Sequence, residues 1–123
     1  MTEGLKYRPL PLQSDQKEIE QILSGGNKKD LMLLSLSVGE SFPDGKYAQT
    51  VCLRLAESDD VEIRANACLG LAYIARTKGT LEKHLVKPIL LRELRSAGEL
   101  KWRIEDAIND INGYLEWKIA CKH

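Results

Sequence analysis

The stretch from Val61 to Ala75 decides the fold of this chain, and it reads Val-Glu-Ile-Arg-Ala-Asn-Ala-Cys-Leu-Gly-Leu-Ala-Tyr-Ile-Ala. Large apolar residues alternate in it with small ones such as Ala65, Ala67 and Gly70. This mixture lets a helix lie very close to its neighbours, as stacked helical hairpins require. Because such a helix cannot bury its apolar face alone, the stretch predicts flanking units of the same kind. We expect Leu69 to lie in the central core.

The rest of the chain predicts five further helices joined by short turns. Capping, turn and apolar patterns place the six helices at about 14–25, 27–41, 46–57, 61–76, 81–96 and 99–117. Pro88 predicts either a kink in the fifth helix or a start of that helix near Lys87. Residues 1–13 contain Pro9 and Pro11, so we expect an extended arm before a single domain over residues 14–123. The sequence therefore predicts an all-α fold of three antiparallel helical hairpins.

The second and third predicted hairpins align with each other. A shift of 39 residues superimposes Arg103 on Arg64 and Ile108 on Leu69. Periods of this length are typical of proteins built from repeated helical pairs. An ordinary antiparallel bundle would show the same helical periodicity without this internal sequence repeat, so the repeat favours stacked hairpins.

The residues around the central stretch resemble a known repeat. The Asp59-Asp60 pair before it, the Arg64 that follows and the Leu69-Gly70 pair resemble the second helix of a HEAT repeat. The segment Leu85–Leu91, which contains a proline, resembles the first helix of such a unit. The resemblance implies a HEAT-like α-solenoid of three stacked hairpins, the first of which matches only loosely, as a terminal cap does.

Composition bounds the classes of function. Eighteen basic and eighteen acidic residues give the chain a net charge of zero, whereas proteins that bind the phosphate backbone of nucleic acids usually carry an excess of basic residues. No apolar run reaches the length of a membrane span, and the three cysteines form an odd set at helical positions, so we expect free thiols in the cytoplasm. We interpret one cluster of basic residues as a solvated face, and the remote alternative is the binding surface of a nucleic-acid-binding HEAT protein. The residues of the cluster are Arg76, Lys78, Lys83, His84, Lys87, Arg92 and Arg95.

Residues that would carry chemistry do not form a recognisable constellation. His84 lies between lysines, and Cys121 with His123 supplies only two of the four ligands that structural zinc needs. The stretch Gly39–Lys46 fails as a phosphate loop because the glycine spacing is wrong and Tyr47 replaces the hydroxyl ligand of magnesium. The sequence therefore predicts neither an enzyme nor a cofactor, a metal or a small-molecule substrate.

A protein-binding surface is the remaining type of site. The second helices of stacked hairpins line the concave side, where partners usually dock. On the fourth and sixth helices, the polar and aromatic residues that we expect to face a partner are Glu62, Asn66, Tyr73, Lys101, Glu105, Asn109 and Asn112. Tyr114 and Trp117 extend this set unless they pack into the core, and the same alternatives stand for Trp102.

Two segments sharpen the resemblance. Arg64–Arg76 and Arg103–Leu115 look like small single-domain bacterial HEAT proteins, which occur as immunity proteins beside polymorphic or contact-dependent toxins. The resemblance implies a non-enzymatic cytoplasmic inhibitor that binds a cognate protein toxin, such as the C-terminal toxin domain of a larger effector. Inhibitors of nuclease toxins are commonly acidic and this chain is neutral. The acids that would oppose a basic toxin locally are Glu57, Asp59, Asp60 and Glu62. The competing interpretation is a HEAT adaptor or scaffold with an unrelated partner.

Overall fold

A computed structural model of the protein describes residues 16–120, which form six α-helices and no strand. The helices are α1 (Gln16–Gly25), α2 (Lys28–Ser41), α3 (Gly45–Leu55), α4 (Val61–Lys78), α5 (Lys83–Ser96) and α6 (Lys101–Leu115), and a 3₁₀ turn, Gly98–Leu100, precedes α6. The predicted all-α class is confirmed. The expected arm over residues 1–13, and Cys121 and His123, lie outside the described residues.

Three helices begin at side chains that cap their first turn. Asn27 Oδ1 accepts a hydrogen bond from the Asp30 amide at 2.9 Å, and Asp60 Oδ1 accepts one from the Glu62 amide at 2.8 Å. Asp44 caps α3 in the same way through the amide of Tyr47 at 3.1 Å. These acceptors satisfy backbone N–H groups that have no partner within the helix.

The later helix ends differ from the prediction for local reasons. Helix α4 ends when Gly79 adopts a left-handed conformation at φ 73°, and α5 then begins at Lys83, so that Pro88 lies inside it. Helix α6 ends at Leu115 because Glu116 is also left-handed, at φ 59°. Trp117 therefore lies beyond the helix that we predicted to contain it.

The helices form two layers with α4 at the centre. Helices α2, α4 and α6 lie side by side, and α4 packs extensively on both of its neighbours. Helices α1, α3 and α5 each pack on the helix that follows them, and α3 also packs on α2. Side chains join this second layer, since Arg54 pairs with Glu20 at 2.9 Å and Gln49 Nε2 donates to Glu82 Oε1 at 2.7 Å. The result is three hairpins placed in chain order.

Helices α2 and α4 approach each other to backbone contact. A Cβ atom added at Gly70 would lie 2.5 Å from the Ser35 carbonyl oxygen and 2.8 Å from Cys52 Sγ. A Cβ atom at Gly39 would clash with the Gly70 carbonyl oxygen and lie 2.9 Å from Tyr73 Cβ. Two glycines on facing helices therefore set the distance between α2 and α4.

The core surrounds α4, but not on the side that we expected. Leu71 and Ile74 are fully buried, whereas Leu69 is only partly buried. Gly70 faces α2, and the buried Ala65 and Ala72 lie on the opposite side of the helix, toward α6. Leu69 lies on the flank that neither neighbour covers, so its placement in the central core was wrong.

Two glycine substitutions separate close packing from helix propensity. Gly70→Ala should lower the free energy of unfolding by about 1–3 kcal/mol, because the added methyl group meets backbone atoms that cannot move. Gly113→Ala should raise it by up to about 1 kcal/mol, because Gly113 lies within α6 and nothing approaches its Cβ position. Urea denaturation of both variants checks the two signs, and a neutral Gly70→Ala would contradict the close approach.

Truncating the two leucines that flank Gly70 tests the burial pattern. Leu71→Ala should cost about 2–5 kcal/mol, because a fully buried side chain leaves a cavity. Leu69→Ala should cost clearly less, because part of that side chain is already in water. Thermal denaturation of the pair gives the comparison, and equal losses would show that Leu69 is a core residue after all.

Candidate protein-binding surface

Asn66 joins three helices instead of facing a partner. Only 7% of the residue is exposed. Its Nδ2 atom donates to the Met32 carbonyl oxygen of α2 at 3.1 Å, and its Oδ1 atom accepts from Arg103 Nη1 of α6 at 2.9 Å. The Asn66 carbonyl oxygen also accepts a hydrogen bond from Ser35 Oγ at 3.0 Å. The expectation that Asn66 faces outward was wrong, because the close approach of α2 encloses it and both of its amide atoms are occupied.

Asn112 holds the segment that follows α6. Its Nδ2 atom donates to the Ile119 carbonyl oxygen at 2.9 Å, and its Oδ1 atom accepts from the Ile119 amide at 3.1 Å. Ile119 is buried, so this pair of bonds closes the end of the chain over the core. The Asn112 side chain is therefore committed to the fold and is not presented to a partner.

The alignment of α4 with α6 in the structure differs from the 39-residue alignment of their sequences. Gly70 packs against the preceding helix, yet a shift of 39 residues aligns it with the exposed Asn109. A shift of 41 residues aligns it with Ile111, which is fully buried. Two residues correspond to a rotation of about 200° around a helix. The predicted residues on α4 and those on α6 consequently lie on different flanks of their helices and do not form one surface.

The structure divides the seven predicted residues accordingly. Glu62 and Tyr73 lie half-buried on one flank of α4. On α6, Lys101 and Glu105 are half-buried and Asn109 is exposed on the flank that also carries Asn112. In the corrected register, the flank of α4 continues on α6 through Arg103, Asp110 and Tyr114. The hydrogen bond between Asn66 and Arg103 joins the two helices on this same flank.

Two aromatic side chains on α6 are exposed. Trp102 is 57% exposed and Tyr114 is 54% exposed, so core packing does not account for either of them. Trp117 is instead partly buried against the core, and Lys83 Nζ lies 5.5 Å from the centroid of its ring. We call the half-buried and exposed side chains around this flank the α4–α6 surface: Glu62, Leu69, Tyr73, Trp102, Arg103, Asp106, Asp110 and Tyr114.

Cations hold the aromatic rings of this surface at two places. The Arg103 guanidinium lies 5.5 Å from the centroid of the Trp102 ring while it donates to Asn66. The Arg76 guanidinium lies 4.8 Å from the centroid of the Tyr73 ring and pairs with Glu40 at 3.4 Å. Because each arginine is itself anchored, these contacts reduce the rotamer freedom that the rings would lose on binding a partner.

Most of the acids that we expected to oppose a basic partner are already paired. Glu57 pairs with Arg92 at 3.0 Å. Lys28 Nζ lies 3.1 Å from Asp60 Oδ2 and 2.6 Å from Glu62 Oε1. The hydrogen bond from Lys28 holds the pKa of Asp60 below its ordinary value, so Asp60 stabilises the fold above about pH 4 and this contribution is lost on acidification.

Three acids without an ion pair lie on and beside α6. Glu99, Asp106 and Asp110 are exposed and make no ion pair among residues 16–120. Glu99 also borders a cleft of about 550 Å³, together with Lys28, Asp60, Val61, Glu62, Ala97 and Leu100. Three carboxylates and one ammonium group line this cleft, so its chemistry suits a cationic side chain.

The two cysteines in the described part of the chain are structural. Cys52 and Cys68 are buried and free. Burial raises the pKa of the Cys68 thiol to about 12 and that of the Cys52 thiol further still, so both are neutral at physiological pH. Neither is activated as a nucleophile, which requires a thiolate. Among residues 16–120, the histidine, cysteine and acidic side chains form no group of three that would hold a metal ion.

Arg64 and Glu93 form the most buried ion pair in the described residues. Glu93 is 1% exposed and accepts from Arg64 Nε at 3.0 Å and from Arg92 Nε at 2.9 Å. Arg64 also donates to the Ser58 carbonyl oxygen at 3.0 Å. Arg64 of α4 thus bonds to Glu93 of α5, and this cluster stabilises the junction of α4 and α5.

Comparison with known proteins adds no relative. No family model matches the chain, and no curated protein or solved structure is significantly similar to it. Within residues 16–120, no helix combines the length and the apolar character that crossing a lipid bilayer requires.

A substitution at Asn66 distinguishes the structural role from a binding role. Asn66→Ala should lower the free energy of unfolding by about 1–3 kcal/mol, because it leaves the Met32 carbonyl oxygen and the Arg103 guanidinium without their partner. Gln21→Ala, which truncates an exposed amide on α1, should change it by less than about 0.5 kcal/mol. Chemical denaturation measures both, and equal stabilities would contradict the role assigned to Asn66.

Proposed function

We propose that this protein is a non-enzymatic binding inhibitor, and that it is an immunity protein which neutralises a cognate bacterial toxin by covering it. The observation that carries the proposal is the pair of exposed aromatic residues on α6, Trp102 and Tyr114, with the unpaired Asp106 and Asp110 between them along the helix. The resemblance of Arg64–Arg76 and Arg103–Leu115 to small bacterial HEAT proteins supports the choice of an immunity protein.

The aromatic residues favour binding to a protein. Tryptophan and tyrosine are the residue types most enriched among binding hot spots, because they bury a large area and also offer a polar group. Two of the three large apolar side chains that are exposed in the described residues are Trp102 and Tyr114, and both lie on one helix. A helix anchored on α4 presents them without a large ordering cost, since few side chains have to be immobilised.

The charges favour a basic partner. Asp106, Asp110 and Glu99 are unpaired, and the cleft beside α6 is lined by three carboxylates. Unpaired surface carboxylates steer a basic partner toward this side and set its orientation. The neutral net charge of the chain does not oppose this interpretation, because exposed cations on α5, Lys83, Lys87 and Arg95, contribute to the total without facing the α4–α6 surface.

A toxin whose active site binds an anionic substrate would offer a complementary basic surface. Covering that site with the α4–α6 surface would block substrate without any reaction of the inhibitor itself. An adaptor that joins unrelated proteins is the alternative function. The two functions differ in the identity of the partner and not in the chemistry of the surface, so co-expression distinguishes them.

Co-expression with the product of the adjacent gene tests the proposal. The wild-type protein should protect cells from that product, whereas Trp102→Ala and Tyr114→Ala should weaken the complex about thirtyfold or more, the loss expected for a hot spot of at least 2 kcal/mol. Leu85→Ala is the matched control, because it truncates an exposed apolar residue on α5. It should leave both protection and affinity unchanged. Titration calorimetry measures the affinities, and denaturation confirms that the variants fold.

Each result decides one part of the proposal. If the adjacent gene product is harmless alone, or remains lethal when this protein is abundant, the immunity function is wrong and the adaptor takes its place. If protection is complete but survives both aromatic substitutions, the function stands and the α4–α6 surface is the wrong site.

A further inference from the structure

Helix α5 carries a second surface, whose charge is opposite to that of α6. A groove of about 560 Å³ runs along its exposed side and is lined by Lys83, His84, Lys87, Pro88 and Leu91. The spacing of His84, Pro88 and Leu91 places them in one stripe along the helix, and Arg95 continues the stripe one turn further. Pro88 and Leu91 form an apolar floor, and no carboxylate lines the groove.

The cations of this groove remain after the ion pairs of the fold have formed. Arg92, on the same helix, is paired with Glu57 and Glu93. Lys87 and Arg95 are exposed and have no acidic partner among residues 16–120. Lys83 is held in place over the Trp117 ring and likewise lacks a carboxylate partner in that range. The groove therefore combines an apolar floor with a rim of positive charge.

Pro88 leaves one carbonyl oxygen of α5 without its usual helical donor. A proline has no N–H group, so Pro88 cannot donate the helical hydrogen bond to the carbonyl oxygen of His84, which lies four residues before it. Both residues are exposed. A segment lying in the groove would meet an apolar floor and positive side chains.

We propose that this α5 groove binds an acidic, amphipathic segment of a partner protein. One or two apolar side chains of the segment pack on Pro88 and Leu91, and its carboxylates pair with Lys83, Lys87 and Arg95. Lys87 and Arg95 lie eight residues apart, about 12 Å along the helix. Carboxylates on two or three turns of a helical segment span that distance. This surface is separate from the α4–α6 surface and takes a partner of opposite charge.

The lining argues against a nucleic acid. Nucleic-acid surfaces place cations along a phosphate track, and those that bind single strands add aromatic side chains on which bases stack. Here the floor is aliphatic, and Trp117, the aromatic residue beside the groove, is already occupied by Lys83. An apolar floor rimmed by charge matches instead the grooves that hold amphipathic helices.

An NMR titration of the whole protein tests the proposal. The probe is a short synthetic peptide in which glutamates flank a leucine and a phenylalanine at helical spacing, and the control peptide has glutamines in place of the glutamates. We expect amide shift changes that cluster in α5 with the acidic peptide and at least tenfold weaker binding of the control. The double variant Lys87→Glu with Arg95→Glu should weaken the acidic peptide at least tenfold, and added salt should weaken it further.

Lys29→Glu is the matched control, because Lys29 is an exposed lysine of α2 without an acidic partner in residues 16–120. It should change the affinity by less than twofold. The proposal is overturned if shifts stay absent up to millimolar peptide, if they cluster on α6, if both peptides bind equally, or if Lys29→Glu weakens binding as much as the α5 variant. The proposal is also overturned if a single-stranded oligonucleotide binds to the same residues more tightly than the acidic peptide. It is likewise overturned if sedimentation shows that a second copy of the chain covers the groove. None of these outcomes bears on protection by the α4–α6 surface.

Discussion

The backbone contact between α2 and α4 at Gly39 and Gly70 is the constraint on which the rest of the structure depends. The axes of packed helices usually lie about 8–10 Å apart because side chains separate them. The two facing glycines have no side chains, so α2 and α4 come into backbone contact here. The short distance lets Ser35 and Asn66 bond directly to backbone oxygens of the opposite helix. It also encloses Asn66 and orients the Asn66 Oδ1 atom so that it accepts a hydrogen bond from Arg103 of α6. One steric feature thus fixes the positions of three helices.

This arrangement explains why the α4–α6 surface lies on one flank of α4 and α6. Helix α4 is covered on two sides by α2 and α6 and on a third by the outer helices, so only the flank with Leu69 and Tyr73 remains open. Helix α6 has a neighbour of its layer on one side only, and its other side therefore exposes Trp102 and Asp106. The last helix of the layer consequently carries the exposed Trp102 and Tyr114 together with the exposed Asp106 and Asp110.

The all-α class and most helix ends were predictable because they depend on local chemistry. Asn27 and Asp60 satisfy neighbouring amides, and the small residues around Gly70 predict close packing wherever the partner helix lies. The orientation of α6 was not predictable in this way. A shift of 39 residues matches arginine with arginine, but the structure aligns Gly70 of α4 with the buried Ile111 of α6, a shift of 41 residues. Asn66 was misjudged because its burial depends on the neighbouring helix and not on its own polarity.

The distribution of charge also follows burial. Arginine and glutamate form ion pairs at the buried junction of α4 and α5, while the exposed faces of α5 and α6 carry unpaired lysines and aspartates. The contact of α2 with α4 holds the fold together. Native-state hydrogen exchange tests this role, because it resolves the opening free energy of each helix. We expect amides of α4 and of the facing part of α2 to exchange only through global unfolding, while those of α1 open at lower free energy. Exchange of α4 amides through a local opening, at a free energy no higher than that of α1, would contradict it.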